Sequence, residues 1–175
     1  MIGWAVTDWA VKDWRMNDWR MTSLAMYRRL IVLGVLVLSG CGEKPPPPPE
    51  LTLAIASGKD QNPDTVGRPA PVAIRLFYLT ATAKFERADV FALTEREKAT
   101  LGEDSAGSEE FVLAPGEARS LVRTPKPGVQ FLGVVVLFRD IDRAAWRSVR
   151  PVAAHGPTRL ALSIDGLKAT LGPGK

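Results

Sequence analysis

One junction near residue 41 limits what this chain can fold into. A nine-residue apolar run, Leu30–Leu38, ends in Ser39-Gly40-Cys41, and five prolines, Pro45 to Pro49, follow closely. Proline fixes φ and lacks a backbone N–H, so a proline run cannot continue a helix or enter the middle of a sheet. Consecutive prolines favour polyproline II, so the five prolines are predicted to form a tether between the apolar run and a domain that begins at Leu51.

The residues before Cys41 have the order of a secretion signal. Arg28 and Arg29 precede the apolar run, and small residues follow it. Nine apolar residues are too few for a helix that crosses ~30 Å of hydrocarbon. Leu38-Ser39-Gly40-Cys41 resembles the lipobox of bacterial lipoproteins. That resemblance implies cleavage before Cys41, a diacylglyceryl group on its sulfur and an acyl chain on the new amine. The alternative is a chance cysteine behind a hydrophobic helix.

Lipidation at Cys41 would fix the location of the protein. A single acyl chain anchors only marginally, whereas two or three chains hold stably. Gly42 occupies the position where lipoproteins kept at the inner membrane often carry Asp. The resemblance therefore implies an outer-membrane lipoprotein that faces the periplasm of a Gram-negative bacterium. Five prolines in polyproline II, at ~3.1 Å per residue, would hold the domain ~15 Å from the lipid.

The first twenty residues do not fit this plan. Four tryptophans recur every five residues from Trp4 to Trp19. A step of five matches neither a helix nor a strand. We interpret residues 1–20 as a non-native extension, with the true start at Met21 or Met26; a tryptophan-rich membrane-surface peptide is the alternative. The chain then divides into this extension, a signal peptide at 21–40, a lipidated cysteine with a proline-rich tether at 41–50, and a domain at 51–175.

Composition excludes several classes of function. The chain has one Cys and one His, so an intramolecular disulfide is impossible, and cysteine- or histidine-based metal sites and triads are disfavoured. Residues 41–175 contain 18 Lys and Arg against 16 Asp and Glu, without a basic run. Nucleic acid is therefore a poor candidate partner. We expect no enzymatic activity, no metal, and no cofactor apart from the covalent lipid.

The pattern beyond the prolines predicts a mainly β domain. Leu51, Leu53 and Ile55 alternate with small or polar residues, as in a half-buried strand. Val129–Phe138 is apolar on both faces, which is typical of a central strand. Asp165-Gly166 is a hairpin signal. Short strands with regular turns predict a β-sandwich.

A helix-prone stretch, residues 83–102, interrupts the strands between the second and third strand candidates. Thr94 and Glu97 have the spacing of a capping box, and Gly102 is placed to end a helix. The apolar residues expected to pack this insertion on the sandwich are Phe85, Val90, Phe91 and Leu93. The acidic segment 102–110 is expected to be a solvated connection.

Three segments together resemble one known family. They are "NPDTVGRPAPVAIRLFYL" from Asn62, "AKFERADVFAL" from Ala83 and "LGVVVLFRDIDRAAWR" from Leu132. In this order behind a lipobox, they resemble the outer-membrane lipoprotein of the type VI secretion system, the TssJ (VasD/SciN) family. The resemblance implies a transthyretin-like β-sandwich with a short helical insertion between the second and third strands, and a protein without enzymatic activity.

The same resemblance implies partners and a binding loop. Family members bind the periplasmic C-terminal part of the inner-membrane protein TssM, in a complex that also contains TssL. The loop between the first two strands, here residues 57–71, is implicated in the TssM contact. The residues we assign to that contact are Asn62, Asp64, Gly67, Arg68 and Pro69. In the alternative interpretation they only shape a connector, with Arg68 closing it internally. A periplasmic lipoprotein that binds a small ligand is the alternative function.

Overall fold

The computed structural model describes residues 45–175, in which eight strands form two sheets of four. The strands are β1 Pro49–Ser57, β2 Val72–Leu79, β3 Ser105–Leu113, β4 Ala118–Arg123, β5 Phe131–Leu137, β6 Arg147–Pro151, β7 Gly156–Asp165 and β8 Lys168–Pro173. Their orders are β4-β1-β7-β8 and β3-β2-β5-β6. The mainly β fold predicted from the sequence is confirmed. The interpretations of residues 1–44, including the tryptophan repeat, the signal and Cys41, lie outside the described residues.

The main core lies between the two sheets and follows the alternation in the sequence. Leu51, Leu53 and Ile55 of β1 are at most 2% exposed, while Ala54 and Ala56 face solvent. In β5, Val134 and Val136 belong to this core, whereas Val135 joins a second apolar cluster. The β3-β2-β5-β6 sheet is therefore covered on both faces, which is why β5 is apolar throughout.

A helical insertion between β2 and β3 provides the second cover, as the sequence predicts. It consists of α1 Ala83–Arg87, α2 Val90–Glu95 and α3 Glu97–Leu101, followed by a 3-10 turn at Gly102–Asp104. Phe85 is fully buried, and its ring centroid lies 5.4 Å from that of Phe77 in β2. Gly102, at φ +53°, ends α3 as expected.

Two details of the predicted insertion are wrong. Thr94 lies inside α2, where its hydroxyl donates to the carbonyl of Val90, so it caps no helix. The cap of α2 is Asp89, whose Oδ1 accepts the N–H of Ala92 at 2.8 Å. Phe91 is 61% exposed rather than packed, because the short α2 turns Val90 and Leu93 inward and Phe91 outward.

The acidic segment is also different from the prediction, because residues 105–110 form most of β3. This strand is at the edge of its sheet, and cationic groups nearby offset its carboxylates. Glu109 accepts from Arg123 Nη2 at 2.8 Å and from the Tyr78 hydroxyl at 2.5 Å. The hydrogen bond from Arg123 holds the pKa of Glu109 below its ordinary value, and burial together with Glu109 raises the pKa of Tyr78. A polar strand is thus stabilised by partners far away in the sequence.

The strand register gives the sandwich two distinct ends. β1 and β7 run parallel, from Pro49 opposite Gly156 to Ser57 opposite Ile164. We call the first end the proline end; it contains residues 45–49, 124–130 and 151–155. The other is the loop end, with residues 58–71, 138–143 and 166–167. Nine residues of β1 separate these ends by ~30 Å.

The prolines closest to the domain are part of it and not a free rod. The carbonyl of Pro47 accepts the N–H of Gly156 at 3.2 Å, and Pro49 is the first residue of β1. Proline is tolerated at the start of a strand because its carbonyl still accepts. The spacing of ~15 Å expected from five free prolines is therefore too long, since three of them dock on the sandwich.

Gly133 in β5 leaves the space that the Phe85 ring fills, which yields a stability prediction. A Cβ at this position would lie 2.8 Å from Phe85 Cζ and 3.0 Å from Leu79 Cδ1. We expect Gly133→Ala to lower the free energy of unfolding by ~1–3 kcal/mol, measured by chemical denaturation. Gly172→Ala is the matched control, because a Cβ there has no neighbour within 4 Å. Equal stability of the two variants would contradict this packing.

Candidate partner-binding loop

The loop at residues 58–71 is held at its base by one buried amide side chain. Asn62 is 2% exposed and has φ +48°. Its Oδ1 accepts the N–H of Arg139 at 2.8 Å, and its Nδ2 donates to the carbonyl of Pro71 at 2.8 Å. Its own N–H donates to the carbonyl of Gly166 at 2.8 Å. One residue thus ties the loop to the β7–β8 turn, to the end of β5 and to the start of β2.

Gln61 closes the neck of the loop, and the sequence analysis did not identify it. Its side chain is fully buried, and Nε2 donates to the carbonyls of Leu113, at 2.8 Å, and Ala70, at 3.3 Å. The Ala70 N–H in turn donates to the Gln61 carbonyl at 3.2 Å. Buried polar side chains with several partners define a single geometry. A glutamine in a polar loop gives no periodic signal, so only the fold reveals this role.

The tip of the loop is a tight turn organised by Asp64. Oδ1 of Asp64 accepts the N–H groups of Val66, at 3.0 Å, and Arg68, at 2.9 Å. Oδ2 accepts Nε of Arg68 at 2.8 Å. The Arg68 amide, with its guanidinium and the Val66 amide, holds the pKa of Asp64 below its ordinary value, although desolvation acts in the opposite direction. Gly67, at φ +83°, makes the left-handed step that brings Arg68 back to Asp64.

The structure brings three of the five residues assigned to the partner contact into this turn, namely Asp64, Gly67 and Arg68. Arg68 closes the loop internally, as the alternative interpretation has it, yet its side chain remains 79% exposed. Pro69 is exposed beside them. Asn62 is buried and shapes the loop from below instead of presenting a surface. The role of these residues in binding stays a prediction.

An apolar side chain at the tip adds to this surface. Val66 is 71% exposed, more than the three other large exposed hydrophobic residues of the described chain, Phe91, Val112 and Val122. Its neighbours Thr65 and Gly67 are exposed as well. The sequence offered only one hint, an isolated valine between turn residues. The loop therefore presents an apolar side chain on a turn that Asp64 holds in one conformation.

A polar groove lies between the loop and the turn that follows β5. It measures about 370 Å³ and is lined by Pro63–Thr65 on one side and by Arg139–Arg143 on the other. Asp140 forms an ion pair with Arg143, and the hydrogen bond from Arg143 holds the pKa of Asp140 below its ordinary value. Arg139 is exposed. The loop end therefore presents mixed charge around an apolar tip.

This site has the features of a binding surface. Within residues 45–175, no three or more His, Cys, Asp or Glu side chains cluster as metal ligands. Across the same residues, no helix is long and apolar enough to cross a membrane. Two of the four acidic side chains of the loop end, Asp64 and Asp140, are each engaged by an arginine. The described part of the chain is therefore a β-sandwich that holds one loop in a fixed conformation at its end.

Comparison with known proteins identifies the family of this module. A family model described as "Type VI secretion lipoprotein, VasD, EvfM, TssJ, VC_A0113" matches residues 49–167. Among solved structures, the type VI lipoprotein TssJ1 of Pseudomonas aeruginosa is 34% identical with a TM-score of 0.72, covering 74% of this chain and 98% of that chain. The chain therefore belongs to the type VI secretion lipoprotein family that includes TssJ. No match was found among curated proteins.

Two further structures resemble the chain. A chain of a "Type VI membrane complex" is 25% identical with a TM-score of 0.63, and the match covers 71% of this chain and 98% of that chain. A chain in the structure described as "T6SS protein TssM C-terminal domain (869-1107) from EAEC" is 24% identical with a TM-score of 0.59 and the same coverages. The family membership that the sequence indicated is therefore confirmed.

The hydrogen bonds of Asn62 generate a prediction about the stability of the domain. Asn62→Ala removes two side-chain hydrogen bonds and leaves the Arg139 N–H without its partner, so we expect a loss of ~1–3 kcal/mol in unfolding free energy. Asn62→Gly keeps the positive φ accessible and isolates the lost hydrogen bonds from backbone strain.

Thr65→Ala is the control, since this side chain is exposed in the same loop. Chemical denaturation of the three variants measures the difference. Unfolding free energies for Asn62→Ala and Asn62→Gly that match Thr65→Ala would show that the buried amide does not hold the loop.

Proposed function

We propose that this protein is an outer-membrane lipoprotein of the type VI secretion membrane complex, which docks the periplasmic domain of a TssM-like partner. Lipid on Cys41 fastens it to the membrane, and the loop end of the sandwich binds the partner. TssL is reached only through that partner. The protein's work is mechanical attachment, with no cofactor beyond the covalent lipid and no chemical step.

The observation that carries this proposal is the construction of the loop. Buried Gln61 and Asn62 fix its base, and the Asp64–Arg68 turn fixes its tip, while Val66 stays exposed. A loop already held in one conformation loses little entropy on binding. The loop also lies ~30 Å along β1 from the prolines that lead back to Cys41. The loop is therefore at the end of the sandwich opposite to the residues that lead to the proposed anchor.

The choice of partner is supported by the descriptions of two structures that contain matching chains. One matching chain comes from a type VI membrane complex. Another matching chain, with the fold of this protein, comes from the structure described as "T6SS protein TssM C-terminal domain (869-1107) from EAEC". Membrane confinement would raise the effective concentration of the two partners.

The small-ligand alternative gains no support from the groove where polar side chains converge. That groove measures about 310 Å³ and contains Tyr78, Glu109 and Arg123. These three groups are bonded to one another, with Glu109 accepting from both others. Because these side chains form hydrogen bonds with one another and link β2, β3 and β4, they give no indication of a bound ligand.

Substitution at the loop tip tests the docking role. We expect Val66→Asp to weaken binding to the periplasmic domain of the TssM-like partner by at least ~10-fold, about 1.4 kcal/mol, because a charge would enter the contact. Isothermal titration calorimetry measures the affinity, and the melting temperature should not change. Val122→Asp is the matched control, because Val122 is 58% exposed on β4, away from the loop. Unaltered affinity for Val66→Asp, or an equal loss in both variants, would move the interface elsewhere.

Removal of the thiol tests the anchor independently. We expect Cys41→Ser to move the protein from the outer-membrane fraction to the soluble fraction and to abolish type VI secretion, with the domain still folded. Metabolic labelling with radioactive palmitate should mark the parent protein and not the variant. Lys44→Ser, which keeps the thiol, serves as the control. A Cys41→Ser protein that still fractionates with the outer membrane would overturn the assignment of the anchor.

A further inference from the structure

The proline end of the sandwich carries a broad apolar groove of about 730 Å³. Its apolar lining comes from both sheets and from the proline segment, and it includes exposed Pro48, Pro127, Pro151 and Ala154 and half-buried Phe131; the buried side chains of Val129 and Val152 form its floor. The ionisable side chains of the lining are Lys126 and His155, and it contains no carboxylate. Both ionisable side chains are exposed. This surface is thus apolar with a cationic rim.

The length of the tether places this surface close to the membrane. Six residues lead from Cys41 to Pro47, and they span at most ~20 Å when fully extended. Pro47 is hydrogen-bonded to Gly156, so the chain enters the sandwich beside the groove and not at a distant point. A lipid anchor at Cys41 would therefore keep the groove within ~20 Å of the bilayer surface at all times.

We propose that the proline end is a membrane-contacting face that rests on the phospholipid bilayer; this inference depends on the lipidation of Cys41 proposed above. The exposed proline and alanine side chains of the groove meet the interfacial region, where partly apolar surfaces are stabilised. Lys126 lies against anionic phosphates, which attract basic residues held near the surface. The occupant of the groove is the bilayer to which the chain is tied.

The charges of the neighbouring elements are compatible with this contact. Glu50 is the exposed acidic residue of β1 at this end, and it lies outside the groove lining. Asp104, next to the start of β3, is paired with Lys84 at 3.4 Å. Arg123 at the end of β4 is paired with Glu109. The unpaired charge that faces the groove is therefore that of Lys126, and its sign suits an anionic leaflet.

The consequence for function is a fixed orientation. If the proline end rests on lipid, β1 stands away from the membrane and carries the loop end ~30 Å outward. The tether then serves as a short hinge and the bilayer as a platform. A partner that rises from the inner membrane would meet the loop in one direction only.

The test uses the full-length lipidated protein in vesicles of phosphatidylethanolamine and phosphatidylglycerol. Ala154→Cys puts a fluorophore on the groove, and Val66→Cys puts it on the loop end; both sites are exposed. The chain has a single native cysteine, whose sulfur is blocked when it is lipidated, so the dye reacts only at the new thiol. Spin-labelled headgroups in the vesicles quench fluorophores that touch the surface.

We expect quenching at position 154 to be several times stronger than at position 66, and Lys126→Glu to reduce it in these vesicles but not in pure phosphatidylcholine. Equal quenching at the two positions, in protein that floats with the vesicles, would overturn the membrane-contacting face and leave the anchor intact. Protein that does not float with the vesicles would overturn both the anchor and the face. Quenching at position 154 that is unchanged by Lys126→Glu would show that the charge of Lys126 does not contribute to membrane contact.

Discussion

The parallel pairing of β1 with β7 is the constraint on which the rest of this molecule depends. Its register, from Pro49 opposite Gly156 to Ser57 opposite Ile164, fixes both ends of the sandwich at once. At one end it docks the prolines that lead to Cys41, and at the other it delivers the chain into the loop at residues 58–71. Because a shift of one residue would turn Leu51, Leu53 and Ile55 away from the core, this register is strongly specified.

Polar groups buried beneath the surface fix the loop at residues 58–71 on that frame. Asn62 links the loop to β5 and to the β7–β8 turn, so the shape of the loop is set by strands that are distant in sequence. The helical insertion plays a complementary part, since Phe85 fills the space over Gly133 and covers the second face of β5. Such cross-links resist local opening of the loop, because several of them would have to break.

The sequence predicted the features that repeat or that have a local signal. Alternation in Leu51–Ile55 and the continuous apolar run of β5 predicted two strands, and Gly102 predicted the end of a helix. Prediction from the sequence was wrong where contacts with residues distant in the sequence determine the local structure. Residues 105–110 belong to the segment 102–110 that the sequence predicts to be a solvated connection, but Arg123 donates to Glu109 and Arg75 donates to Ser108, and the residues form an edge strand. Thr94 matched a capping box, yet the helix begins at Val90 and is capped by Asp89. Buried Gln61 and exposed Val66 have no periodic signal, so neither could be found from the sequence.

In the function that we propose, the chain leads from the membrane anchor into one end of the sandwich and the partner binds at the other end. Site-specific photo-cross-linking in secreting cells tests it directly, with a photoreactive residue at Thr65 on the loop end or at Ala154 on the proline end. We expect an adduct with the TssM-like partner from position 65 and none from position 154. An adduct with the partner from position 154, together with none from position 65, would contradict it.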